Sequence, residues 1–313
     1  MPVYNKNGEL ICGQEIPTVT DAECTTTFLS YMAAKCTEWG MTGTHYDNPS
    51  GLTTDSYSTP RDELKLGFAV TANNKALDIW SVPDASFTIR GDHERTISVE
   101  NNVFSLYDSL ATYGYNFLGG KGGSLTMSGY DRAAILLVEI ESSPVILALM
   151  ARGQTAYNNI ANSAKELCDM VKASINGQTP TAGTNLAALV SGGGGYAACL
   201  VPGASGGYLH FATPAELLTR NHSISNNATA SRVPASTTKT MTMLCALDYF
   251  PDVHEMVTVK SVDIVGGSGS TFYDGDKMEF WDCVRICMME SSNTLANTIA
   301  REAGKRILIA QAQ

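Results

Sequence analysis

Little in this 313-residue chain points to a membrane, a nucleic acid or a metal. No apolar run approaches the roughly 20 residues that cross a bilayer as a helix. Basic residues are scarce: 21 Lys and Arg stand against 31 Asp and Glu, for a formal net charge of −10. Phosphate backbones are held by concentrated Lys and Arg, so a nucleic acid partner is disfavoured. The opening MPVYNKNGEL has neither the basic start nor the apolar core of a secretory leader. That leaves a cytoplasmic protein, or one whose leader is not in this sequence. The five histidines are scattered, with no HExxH, which disfavours a zinc enzyme. The eight cysteines form no CxxC pair. Cys283 and Cys287 are one helical turn apart, a spacing open to a metal, but small buried apolar side chains are the simpler reading. With 44% hydrophobic and 17% charged residues, the chain has the composition of a globular protein rather than a disordered one.

Local signals divide the chain into strands and helices. KNGE (6–9) reads as a turn between short extended pieces. Asp21 opens a helix whose apolar stripe is Phe28, Met32, Cys36 and Trp39, and Gly40 stops it. THYDNPSGL (44–52) is an irregular loop, dense in turn formers. In STPRDELKL, Thr59 fits an N-cap, Pro60 the first helical position and Asp62 the reciprocal capping partner. Two apolar runs, 132–140 and 145–153, flank ESSP and read as a hairpin. A helix follows over 157–175, ended by Asn176-Gly177. The stretch 177–195, finishing SGGGG, is expected to be a flexible linker. YAACLVPG and YLHFATPAELL then offer two more strands, the chain turns helical from Ala235, MVTVK (256–260) is a short strand, and helices cover 277–290 and 294–303. The expected class is α+β, with an antiparallel sheet flanked by helices and an all-helical region.

Three short patterns carry chemistry. Ser236-x-x-Lys239 places a hydroxyl and an amine three residues apart, on one face if Ser236 lies near a helix N-terminus. A serine hydroxyl is a poor nucleophile until a base takes its proton, and a lysine serves only if its pKa is lowered. Alone the pattern is weak, since four residues with two free positions recur by chance. Ser291-Ser292-Asn293 sits between two helices, where a hydroxyl and an amide could relay a proton and hold a substrate amide; the same residues also suit a helix cap. Lys121-Gly122-Gly123 offers a positive charge and a backbone open to close approach, and equally describes a glycine-rich turn.

Together the three resemble the S-x-x-K, S-x-N and K-T-G set of penicillin-binding proteins and serine β-lactamases. The surrounding PASTTKTMT (234–242), GGSGSTFYDGDKMEFWDCV (266–284), MESSNTLANTIAREAG (289–304), FLSYMAAKCTEWGMTGTHYDNPSGL (28–52) and STPRDELKL (58–66) are similar to low-molecular-mass D-alanyl-D-alanine carboxypeptidases. Nothing resembles the Glu-containing loop with which class A β-lactamases deacylate. Two features depart from the family pattern. The K-T-G equivalent precedes the serine–lysine motif instead of following it. Placing 196–313 before 1–176 restores the family order, with 177–195 bridging the old termini, which is the pattern of a circular permutation. A linker of that length spans roughly 25 Å on average. The second departure is Gly122 in place of Thr or Ser, with Ser124 and Thr126 as candidate substitutes for the missing hydroxyl.

The resemblance implies a β-lactamase/transpeptidase-like fold in which 1–176 and 196–313 form one catalytic domain. It implies Ser236 as nucleophile, Lys239 as general base and Ser291 as proton relay. Asn293, Lys121, Gly122, Gly123 and Ser124 would bind substrate, with the backbone N–H groups of Ser236 and Ser124 as oxyanion hole. The expected partners are a peptidoglycan stem peptide or similar D-amino-acid peptide and β-lactams as covalent inhibitors. No cofactor or metal is expected, and the setting would be the bacterial cell envelope or secretion. Because of Gly122, a related serine esterase or amidase stays open, as does a non-catalytic penicillin or peptidoglycan binder. So does a swapped dimer whose halves complement each other.

Overall fold

The computed structural model describes residues 3–4, 10–12, 19–127, 129–153, 157–201 and 223–312. Strands β1 (Val3–Tyr4) and β2 (Leu10–Cys12) pair antiparallel, and the KNGE turn expected between them lies outside the described residues. Helix α1 (Asp21–Glu38) begins with a full capping box. Thr20 Oγ1 accepts from the Glu23 N–H, and the Glu23 carboxylate accepts from the Thr20 N–H. Its buried stripe is Cys24, Phe28, Met32 and Cys36.

Helix α2 (Pro60–Thr71) has the expected N-cap, Thr59 Oγ1 accepting from the Asp62 N–H, and Pro60 in its first turn. The capping partner expected at Asp62 is not formed. Its carboxylate instead accepts from Gly43 N–H and Thr44 Oγ1, so it ties the preceding loop to the helix start. After α3 (Asn74–Trp80), the hairpin β3 (Asp84–Ile89) and β4 (Arg95–Glu100) leads to α4 (Asn102–Tyr107).

The central sheet is antiparallel, in the order β5 (Asn116–Leu125), β6 (Asp131–Ile140), β7 (Ser143–Ala151), β8 (Gly195–Leu200), β9 (Ile224–Asn226). β6 and β7 form the expected hairpin, shifted toward the turn. Glu141 and Ser142 both have left-handed φ, 49° and 59°, the backbone of a two-residue turn whose twist matches the strands. The apolar runs are nearly continuous because both sheet faces are covered. Alternate residues sort into two cores: Ile135, Leu137, Ile146, Ala148, Ala197 and Cys199 face the helical region, while Leu136, Val138, Leu147, Leu149, Tyr196 and Ala198 face the other side.

That other side is covered by α5 (Tyr157–Ile175) and α6 (Thr184–Ser191). Helix α6 corrects the expectation of a flexible linker over 177–195. Leu186 and Leu189, three residues apart, are buried, and the Glu166 carboxylate from α5 accepts from the Asn185 and Leu186 N–H groups at the start of α6. The small, glycine-rich composition hid a short apolar stripe whose end is satisfied from another helix. The strand expected at YLHFATPAELL falls outside the described residues.

The helical region comprises α1, α3, α7 (Thr238–Leu247), α8 (Phe280–Met289) and α9 (Asn293–Gln311), with α2 between it and the sheet. A small pair, β10 (Met256–Thr258) with β11 (Lys277–Glu279), takes up the first residues of the expected 277–290 helix and only the front of MVTVK. Helix α9 runs past 303 because Gly304 does not end it: a Cβ there would lie 1.8 Å from the Cys24 carbonyl oxygen, so Gly304 lets α9 press onto α1. Among the described residues no helix is long and apolar enough to cross a membrane.

This contact yields a stability test. Gly304→Ala forces α1 and α9 apart through backbone atoms that cannot rotate away. It should destabilise the fold by about 3 kcal/mol, the upper end for overpacking. Chemical denaturation would read this as a lowered midpoint, and an unchanged midpoint would contradict the close approach.

Candidate active site

The chain from Pro234 makes one tight turn, Ala235–Thr237, and enters α7. Ala235 has φ 48°, an uncommon left-handed value for a non-glycine residue, and Ser236 follows, half-buried at the floor of a cleft. Ser291, between α8 and α9, is likewise left-handed, with φ 64°. The cap expected somewhere in the Ser291-Ser292-Asn293 triplet belongs to Ser292, whose Oγ accepts from the Leu295 N–H. Ser291 and Asn293, on either side of it, point toward the cleft lining.

Lys239 lies on α7 directly beneath this cleft and is fully buried. Its Nζ has three polar neighbours: the Ser50 carbonyl at 2.6 Å, Asn293 Oδ1 at 2.8 Å and Ser236 Oγ at 3.0 Å. The first two can only accept. A neutral amine has two hydrogens, and those two acceptors use both. Its lone pair is then left for the Ser236 hydroxyl, the third neighbour. Desolvation by burial and the nearby Lys121 bring the Lys239 pKa down to about 7, within reach of that neutral state.

Lys121 enters from β5. Its Nζ donates to Ser291 Oγ at 3.0 Å and to the Gly122 carbonyl at 2.8 Å. Burial lowers its pKa to about 8. Both amines are thus pushed toward the neutral state, and the pair gives up its first proton more readily than a free lysine would. The repulsion between the two buried amines acts on both and disfavours their being charged together.

Gly123 lets β5 meet the nucleophile turn; a Cβ there would lie 2.6 Å from the Pro234 carbonyl and 2.9 Å from the Ser236 nitrogen. Gly122 has no such constraint, since its Cβ would meet only Val103 Cγ2 at 3.8 Å. Ser124 Oγ accepts from the Arg132 guanidinium on β6. A cavity of about 550 Å³ is lined by Lys121, Gly122, Gly123, Ser124, Ser236 and Ser291, walled by Asn102, Val103 and Leu106 of α4. A second, of about 170 Å³, adjoins it and is lined by Ser124, Thr126, Ser236 and Asn293. The structure thus brings Ser236, Lys239, Ser291, Asn293, Lys121, Gly122, Gly123 and Ser124 to one cleft within a single chain.

Other contributors escaped the sequence reading. The Ser50 carbonyl was hidden because backbone groups leave no side-chain signature. A local signal did exist: in NPSG, Asn48 Oδ1 accepts from the Ser50 and Gly51 N–H groups, a tight Asx-type turn that orients this carbonyl. Arg132 and Ser268 also reach the site without belonging to any of the three motifs. Cys283 and Cys287 lie in the hydrophobic core with their thiols pushed up by burial, Cys287 to about 11. Among the described residues no three His, Cys, Asp or Glu side chains gather as metal ligands.

The electrostatics predict a narrow pH window. With Ser236 read as nucleophile and Lys239 as its base, acylation should need Lys239 neutral and should gain from charge on Lys121. Its second-order rate should rise as pH passes about 7 and fall as pH passes about 8. Stopped-flow acylation across that range checks this; a rate that does not change with pH contradicts it.

Comparison with characterised proteins and with solved structures returned no match. Residues 208–310, the segment that carries Ser236, Lys239, Ser291 and Asn293, match the family model described as the beta-lactamase enzyme family, within the serine β-lactamase-like superfamily.

Proposed function

We propose that the protein is a serine hydrolase of the penicillin-interacting kind, acting through an acyl-enzyme on D-Ala-D-Ala-type peptides. The observation that carries this reading is the arrangement around Lys239, whose two carbonyl acceptors leave its lone pair for Ser236. Ser236 Oγ attacks the scissile carbonyl while its proton passes to Lys239 Nζ. The tetrahedral oxyanion is held by the backbone N–H groups of Ser236 and Ser124. Lys121 donates to Ser291 Oγ, so as the Ser291 hydroxyl proton passes to the leaving nitrogen the Lys121 ammonium replaces it, leaving Lys239 protonated and Lys121 neutral. The C–N bond breaks, the amine departs, and water deacylates Ser236 by the reverse proton route. A base poised in this way supports an enzyme over a silent binder. With such a substrate the protein works in the cell envelope or as a secreted protein.

We also read the chain as circularly permuted, with 196–313 corresponding to the family's N-terminal part and 1–176 to its C-terminal part. The motif order supports this, as do β8 pairing beside β7 and α1 packing on α9.

A second reading has its own support. Gly122 removes the hydroxyl that would bind a free terminal carboxylate. That favours an esterase or amidase whose leaving group carries no carboxylate.

Release of D-Ala from an N-acylated D-Ala-D-Ala peptide tests the main reading. Ser236→Ala should abolish it, and Lys239→Ala should slow it by about 100-fold or more, the scale of a lost general base. Release at an undiminished rate from the Ser236 variant would refute the assignment. Gly122→Thr separates the two readings, because its side chain has room. A hydrogen bond to a charged group is worth about 1.5–3 kcal/mol, so the preference for the free acid over its C-terminal amide should rise roughly ten- to hundredfold. An unchanged preference favours a substrate with no carboxylate there.

A further inference from the structure

The strap 265–270, reading VGGSGS, is built against the Ser291–Asn293 turn more tightly than the hydrolytic chemistry requires. Asn293, Thr294 and Glu290 clamp it. Thr294 Oγ1 accepts from the Val265 N–H and donates to the Val265 carbonyl. Asn293 Nδ2 donates to the Gly266 carbonyl at 3.1 Å, and the Glu290 carboxylate accepts from Ser270 N–H and Oγ at 2.8 and 2.7 Å. Gly267 and Gly269 have φ of 112° and 102°, backbone that only glycine adopts readily. Cβ atoms there would lie 2.4 Å from Asn293 Nδ2 and 2.8 Å from Ser292.

Between these two glycines the strap exposes Ser268, whose hydroxyl has no hydrogen-bond partner among the described residues. With Ser124 and Ser236, it lines both cavities. Across the cleft from the strap runs β5, the first strand of the sheet order and thus an edge with backbone groups open on its outer side. The cleft is a slot between an edge strand and a fixed hydroxyl. Among the described residues the ionisable group lining it is Lys121, turned to Ser291 and the Gly122 carbonyl, and the Arg132 guanidinium behind Ser124 is held by that hydroxyl. A slot of this shape suits an extended, uncharged backbone better than a compact ionic group.

We propose that Ser268 is a specificity-determining residue, hydrogen-bonding the amide next to the scissile carbonyl of an extended acyl donor held between β5 and the strap. The inference rests on the acyl-enzyme reading of Ser236. Asn293 links the two, since its Oδ1 accepts from Lys239 while its Nδ2 holds the strap.

Two β-lactams sharing one ring system test it: benzylpenicillin, which carries a side-chain amide, and 6-aminopenicillanic acid, which has a free amine there. Second-order acylation rates are measured for wild type, Ser268→Ala and Ser268→Thr. One neutral hydrogen bond corresponds to roughly three- to tenfold, so the benzylpenicillin to 6-aminopenicillanic acid rate ratio should fall by about that factor in Ser268→Ala. Ser268→Thr, which keeps the hydroxyl, should recover most of the ratio. An unchanged ratio in Ser268→Ala, or no recovery in Ser268→Thr, overturns the role of Ser268 while leaving Ser236 as the nucleophile. Wild-type protein that is acylated by neither compound overturns the underlying reading as well.

Discussion

A lysine amine buried away from water must find acceptors inside the protein, and Lys239 finds them on three separate stretches of chain: the Ser50 carbonyl, Asn293 Oδ1 and Ser236 Oγ. Much of the fold can be understood as holding those three in place. The Ser50 loop is fixed locally by Asn48 and at its near end by Asp62 at the start of α2. Thr242, one turn beyond Lys239 on α7, donates to the Pro49 carbonyl and keeps that loop seated on the helix. Asn293 is set by the first turn of α9, capped by Ser292. Helix α9 is anchored in turn by Arg301, whose guanidinium makes a buried pair with Asp263 at 2.7 Å.

The same burial that constrains Lys239 makes it useful. Desolvation disfavours the ammonium, and Lys121, a second buried amine, pushes further in the same direction. Two adjacent cations in a core are costly, so the pair favours a state with one proton fewer. Each lysine has a serine hydroxyl in reach, Ser236 for Lys239 and Ser291 for Lys121, and on Lys239 the two carbonyl acceptors account for both hydrogens of the neutral amine. Left-handed backbone at Ala235 and Ser291 sits at the two turns that aim these side chains, strain tolerated where the surrounding packing over-determines it.

Much of this was legible in the residues. The 132–153 hairpin, the Thr59 cap with Pro60 and the α1 stripe follow from period, cap chemistry and turn chemistry, which act locally. The three short motifs marked side chains that the fold collects in one cleft. What was missed depended on tertiary partners. Helix α6 is secured by Glu166 from another helix, which no local pattern announces. Asp62 was read as a cap partner because its spacing from Thr59 is right, but Gly43 and Thr44 compete for its carboxylate. The continuation of α9 through Gly304 reflects packing on Cys24, which outweighs the low helix propensity of glycine. Ser50 acts through a carbonyl, and Ser268 through its place between two glycines, so neither residue type stood out alone.

The central claim is that Ser236 is an activated nucleophile forming a covalent acyl-enzyme. Intact-mass measurement after incubation with benzylpenicillin, followed by peptide mapping, tests it most directly. The account predicts one added penicilloyl mass per chain, located on the peptide containing Ser236 and absent from the Ser236→Ala protein. An adduct on any other residue, or none across pH about 7 to about 8, would contradict it.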